Sequence, residues 1–177
     1  MMRILVLVLG GLALGGLACA TSRPDGGMGL LTVGTTAPDF EARDASDKPV
    51  KLSSMKGKLA VVYFYPKDET TGCTAQACAV RDAYDDFEKA GVMVFGISRD
   101  SAESHRKFRE HHQLPFPLVA DESGAVQDAY GVPSKLPGMA SRVSFLIDRQ
   151  GKVARVWPDV DPALHAEQVL SAARELK

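Results

Sequence analysis

Residues 65–82 read YPKDETTGCTAQACAVRD. A hydrophobic run, LAVVYFY (59–65), ends at Pro66. A short polar loop follows, and Cys73 then stands at the mouth of a segment with helical spacing. Cys78 comes five residues later, and the chain's one other cysteine is Cys19. Two thiols thus lie together where a strand hands over to a helix. A helix N-terminus presents unpaired N–H groups and positive dipole, and both stabilise a thiolate.

Working outward, residues 58–65 are β-branched and aromatic without polar alternation, the pattern of a strand covered on both faces. From 73 to 90 the spacing predicts one helix, with Ala77, Val80, Tyr84 and Phe87 on a shared face and Gly91 as its stop. VMVFGIS (92–98) is a second buried strand, and 101–112 a helix with Ser101 or Ser104 as cap. Residues 116–119 suggest a short strand, 125–130 a helical turn or two, and VPSKLPGMA (132–140) a loop. RVSFLID (142–148), the turn at 149–151 and 152–157 form a hairpin. Asp161 opens a last helix that offers Leu164, Val169 and Leu170 for burial. Upstream, 34–43 holds a short extended piece that can pair with 49–52. Strand–helix alternation predicts an α/β fold: a mixed, mostly parallel central sheet with helices on both faces, resembling thioredoxin. Active sites of such sheets lie at the carboxyl ends of strands, which is where Cys73 falls.

The 177 residues support one domain at 32–177. Residues 1–18 have a different character. Arg3 is the one charge before Arg23, and residues 4–18 are Ile, Leu, Val, Gly and Ala only. The run fits a signal peptide and is short for a spanning helix. Two cleavage readings compete. Ala18-x-Ala20 suits an ordinary signal site, whereas Gly16-Leu17-Ala18-Cys19 resembles a bacterial lipobox, with Cys19 lipidated and the mature N-terminus. Residues 19–31, with several Gly and one Pro, read as a flexible tether. The expected location is therefore periplasmic, on the membrane through the lipid, or soluble and secreted if the ordinary site is used. Outside the cytosol a cysteine pair can persist oxidised. The net charge of −1 carries no basic patch for nucleic acid.

Cys73 and Cys78 are too far apart on an ideal helix for a disulfide. Residues i and i+5 differ by about 7.5 Å in rise and about 140° in angle, which places their Cα atoms about 8.6 Å apart. Disulfides need about 7 Å or less. Either the two never bond, or the first turns of the helix unwind when they do. The second case suits a catalytic cycle: a thiolate attacks a peroxide O–O bond, and the resulting sulfenic acid condenses with the nearby thiol. Thr70 can offer its hydroxyl to such a site. Arg142 can offer a guanidinium from the start of a core strand, although it can equally be an exposed strand-end arginine.

Pro66-x3-Thr70-x2-Cys73 resembles the P-x-x-x-T-x-x-C signature of peroxiredoxins, and YFYPKDETTGCTAQACAVRD (63–82) is similar to the peroxiredoxin Q, or bacterioferritin comigratory protein, subfamily. The resemblance extends through Gly34-x-x-Ala37-Pro38-Asp39-Phe40, GISRDS (96–101), DESGAVQDAYGV (121–132) and Arg142 with SFLID. Thr71 stands where that subfamily often has Pro, and the loop at 131–141 is short. The resemblance implies a peroxidatic Cys73, a resolving Cys78, a Thr70 that hydrogen-bonds peroxide and thiolate, a shielding Pro66 and a pocket Arg142. It also implies reduction of hydrogen peroxide and organic hydroperoxides without metal or flavin. A thioredoxin-like dithiol protein would supply electrons, and the chain is expected as a monomer or weak dimer. Export would exclude cytosolic thioredoxin as the donor.

Two other readings use the same residues. A thiol–disulfide oxidoreductase would favour C-x-x-C, often after Trp, but here four residues separate the cysteines and Gly72 precedes the first. A copper-binding module would need a His facing the cysteines. His105, His111, His112 and His165 are available, with His111 and His112 read as a solvated pair on a surface helix.

Overall fold

A computed structural model describes Arg23, residues 26–43 and residues 49–176. The expected signal peptide and Cys19 lie outside the described residues. The elements run β1 (Glu41–Arg43), β2 (Pro49–Lys51), a 3-10 turn (Leu52–Met55), β3 (Leu59–Phe64), α1 (Thr71–Asp82), α2 (Tyr84–Ala90), β4 (Val92–Ser98), α3 (Ala102–His112) and β5 (Leu118–Ala120). Then come α4 (Ala125–Ala129), β6 (Ser134–Leu136), β7 (Met139–Ala140), β8 (Val143–Ile147), β9 (Val153–Trp157) and α5 (His165–Glu175). Among the described residues, no helix is long and apolar enough to cross a membrane.

Among the described residues, seven strands form one sheet in the order β2-β1-β5-β4-β3-β8-β9. It is mixed, but less parallel than expected: β3, β4 and β5 run parallel, whereas the other pairings are antiparallel. The two parallel pairings are made by the crossovers through α1–α2 and α3, each long enough to return the chain to the same end of the sheet. The uninterrupted apolar run of β3 has its predicted cause. Leu59, Val61, Tyr63 and Tyr65 pack on one face with Ala77, Val80, Phe87, Phe108 and Val169. Ala60, Val62 and Phe64 pack on the other with Phe40, Phe95, Tyr130 and Phe145. Side chains alternate across a strand, so both sets are lost to water, and each is at most 2% exposed along β3.

Four details depart from the sequence reading. The helix expected from 73 to 90 begins at Thr71 and breaks at Ala83 into α1 and α2. No Gly or Pro marks the break, so the apolar period runs through it. The loop expected at 132–140 contains the β6–β7 hairpin. Leu164, expected to be buried, is 49% exposed. The last helix starts one residue later, and His165, Ala166, Val169, Leu170 and Ala173 form its inner face. Finally, the tether expected to reach Leu31 packs on the domain at its end. Leu31 is 2% exposed and its N–H donates to the Tyr130 carbonyl. Gly131 has φ +65, and a Cβ there would collide with the Gly29 carbonyl.

Candidate active site

The sheet delivers the chain to the site at Tyr65, whose N–H donates to the Ile97 carbonyl just beyond β3. The loop 66–70 then crosses to α1 and is pinned by Asp68. That carboxylate is buried and accepts from the Tyr65 hydroxyl (2.7 Å), the Ser104 hydroxyl (2.7 Å) and His105 Nδ1 (2.9 Å). The opposite ring nitrogen of His105 meets the Val119 carbonyl at 3.0 Å, so both nitrogens face acceptors. Burial works against the charged Asp68. Hydrogen bonding and charge from His105, with the hydroxyls of Ser104 and Tyr65, outweigh it and hold the Asp68 pKa below the usual carboxylate range. The Asp68 N–H donates to Asp100 at the end of β4 (2.9 Å). The loop before Cys73 is therefore fastened to two other elements.

Thr70 is the N-cap residue of α1, and its carbonyl accepts from Thr74 N–H at 2.8 Å. Its hydroxyl donates to the Lys67 carbonyl (3.0 Å). Pro66 is half-buried beside the loop. Cys73 is the third residue of the helix and is 2% exposed, so its sulfur lies within the first turn, where backbone N–H groups lack helical partners. Cys78 lies on the same unbroken helix and is half-buried; both are free thiols.

Arg142 stands immediately before β8. Since β8 pairs antiparallel with β3, with Val143 opposite Phe64, Arg142 arrives at the carboxyl end of β3. Its Nη2 donates to Cys73 Sγ at 3.3 Å, and its Nη1 donates to the Gln76 Oε1. A guanidinium hydrogen-bonded to sulfur favours negative charge there. Gly72 leaves room for this approach: a Cβ at that position would lie 3.3 Å from Arg142 Nη2.

The sequence reading missed what stands behind Arg142. Gln76 is fully buried, and its Nε2 donates to His165 Nδ1 at 2.9 Å. Burial, and then the charge of Arg142, push the His165 pKa down to about 4. A neutral ring is what the contact requires, because Nδ1 must accept. The row Cys73–Arg142–Gln76–His165 thus carries one cation against the sulfur and two neutral supports behind it. Gln76 follows Cys73 by three positions, close to one helical turn, which was the one signal available in the sequence.

A family model, AhpC/TSA, matches residues 33–156. The chain belongs to that family. Within it, this peroxiredoxin is similar to the chloroplastic peroxiredoxin Q of Sedum lineare, at 46% identity over 149 residues, covering 83% of this chain and 80% of the relative. Its structure is similar to peroxidoxin BcpB of Mycobacterium tuberculosis: the TM-score is 0.76 at 32% identity, with 83% of this chain and 99% of that one covered. It is also similar to the bacterioferritin comigratory protein of Xanthomonas campestris, described for its alkyl peroxide reduction activity, with TM-score 0.70 and 32% identity over 77% and 90% of the two chains. The thioredoxin-like α/β architecture and the peroxiredoxin Q resemblance are borne out. This peroxiredoxin is a thiol-dependent peroxidase by class.

Proposed function

We propose that Cys73 is the peroxidatic residue and Cys78 the resolving one. The observation that carries this reading is the 3.3 Å contact from Arg142 to a buried Sγ at the start of α1, with the second thiol on the same helix. The Cys73 thiolate attacks one oxygen of hydrogen peroxide or an organic hydroperoxide. The O–O bond breaks, the leaving oxygen takes a proton and departs as water or alcohol, and Cys73 becomes a sulfenic acid. The Cys78 thiol then attacks that sulfur, an S–S bond forms, and water leaves. Two electrons from a thioredoxin-like dithiol protein restore both thiols. Arg142 stabilises the thiolate and the charge developing on oxygen. Thr70, after turning from Lys67, offers its hydroxyl to the peroxide, and Pro66 shields the sulfur from water.

Because α1 holds both thiols on one continuous helix, resolution requires its first turns to unwind. The reading extends to location. The chain is exported, lipidated on Cys19 after removal of residues 1–18, and acts on the periplasmic face of a membrane as a monomer or weak dimer. Its donor is then an extracytoplasmic protein of thioredoxin type.

The test is NADPH-coupled peroxide consumption with a dithiol donor. Cys73→Ser should abolish it. Cys78→Ser should leave a single turnover and a trappable sulfenic acid. Turnover retained by Cys73→Ser would reject the assignment. The intact mass of protein from the native membrane fraction reads Cys19 lipidation directly, and an unmodified N-terminus rejects the anchor.

A further inference from the structure

Metal-binding side chains converge on the outer side of the catalytic loop. Glu69, which directly precedes Thr70, has φ +59, a left-handed conformation uncommon for a residue with a side chain. Its carboxylate reaches the end of α3. Oε1 lies 3.1 Å from His111 Nδ1, and Oε2 lies 3.0 Å from His112 Nε2. The two imidazoles, consecutive on a helix, lie close together, with centroids 4.3 Å apart and planes tilted by 35°. One ligand atom from each of the three residues falls within 4.8 Å of the others.

Two imidazoles and one carboxylate form a zinc donor set that leaves a position for water. Tetrahedral metal bonds of about 2.0–2.2 Å set neighbouring ligand atoms roughly 3.3–3.6 Å apart. The Glu69-to-histidine separations, one through each carboxylate oxygen, fall a few tenths of an ångström short of that spacing, so an ion replaces the two hydrogen bonds with a small outward shift. His111, with a side chain 69% exposed, is free to rotate into the coordinating position. His112 supplies the fixed point. Its side chain is 16% exposed and its ring stands edge-on against Phe108 at 5.0 Å. Both histidines occupy the last turn of α3, where the helix dipole favours a cation. The nearby Arg81 guanidinium opposes an ion, but is itself engaged by Asp82 (2.9 Å).

We propose that Glu69, His111 and His112 form a site for a divalent cation of the zinc class, and that the bound ion ties the catalytic loop to α3. The ion also braces α1. Arg81, in the last turn of α1, donates to the His112 carbonyl at 2.8 Å, so the residue that holds the ion also anchors the far end of the helix whose first turns must unwind. This bracing effect rests on the peroxidase reading; the binding site does not.

The test uses the full chain with all three cysteines changed to serine, which removes competing thiolates. Calorimetric titration with Zn2+ should show one ion per chain, weakened at least tenfold by Glu69→Gln and by His111→Gln. In the same chain, ring spectra of the four histidines should shift at His111 and His112 and stay fixed at the buried His105 and His165. Absence of binding, or binding indifferent to both substitutions, overturns the site. Amide protection of residues 74–80 should rise with Zn2+. Binding without that rise overturns the bracing. Peroxide turnover of the unsubstituted chain without Zn2+ is unaffected by either failure, so the two readings fail separately.

Discussion

The side-chain amide of Gln76 donates to Nδ1 of His165 at 2.9 Å, across 89 positions of sequence. The other end of the same amide receives Arg142, the residue that touches Cys73. The amide therefore has one orientation, and the guanidinium is held by a group that cannot titrate. Gln76→Leu removes that support with little change in volume. Hydrogen bonds to charged groups are worth roughly 1.5–3 kcal/mol, so oxidation of Cys73 by peroxide should slow by about tenfold or more. Stopped-flow fluorescence can follow it through Trp157, the chain's one tryptophan, which lies 6.5 Å from His165. An unchanged rate would show that Arg142 needs no support from Gln76.

His165 makes folding stability depend on pH. Its folded pKa is depressed to about 4, against about 6.5 in an unfolded chain. Between those values the unfolded state takes up a proton that the folded state refuses. Stability is thus highest above about pH 6.5, declines as pH falls toward 4, and flattens below that. The gap corresponds to roughly 3 kcal/mol. His165→Asn keeps an acceptor for Gln76 and removes the titration. Denaturant unfolding at pH 7 and pH 4.5 should show a smaller loss for the variant than for the parent chain; equal losses would remove His165 as the cause.

Unwinding of α1 has two readouts. On oxidation, amides of residues 74–80 should lose hydrogen-exchange protection, and a disulfide formed with protection intact would contradict a continuous reduced helix. Arg81→Ala removes the bond to the His112 carbonyl. One such bond contributes about 1 kcal/mol. If the bond is lost on unwinding, formation of the Cys73–Cys78 disulfide should accelerate by roughly fivefold, as read by rapid acid quench and mass.

Gly72→Ala should separate stability from activity. Alanine is the better helix former by up to about 1 kcal/mol, and the position has space apart from Arg142 and Pro162. The new Cβ would crowd Arg142 Nη2. Thermal stability should hold or rise, while the rate of Cys73 oxidation falls several-fold. Loss of both together would point to damage of α1 itself.

The local grammar of the chain determined a good deal unaided. The unbroken apolar run of β3, the capping serine of α3 and the strand-to-helix junction at Cys73 all depend on residues within a turn or two of each other. The same holds for the mismatch between a five-residue spacing and a disulfide, which is arithmetic on a helix. Arg142 was nominated by its place at the start of a core strand, but only the family resemblance favoured a pocket role over an exposed strand-end arginine. The break at Ala83 left no mark, because the apolar period continues through it. Tertiary structure alone decided the supports: Asp68 against His105, Gln76 against His165, and Glu69 against His111 and His112. Each pair lies 37 or more positions apart. Their meeting depends on how three helices settle on one sheet, a long-range packing outcome that local spacing does not encode. YPKDETTGCTAQACAVRD placed the sulfur at the head of a helix; the fold chose which charges and hydrogen bonds surround it.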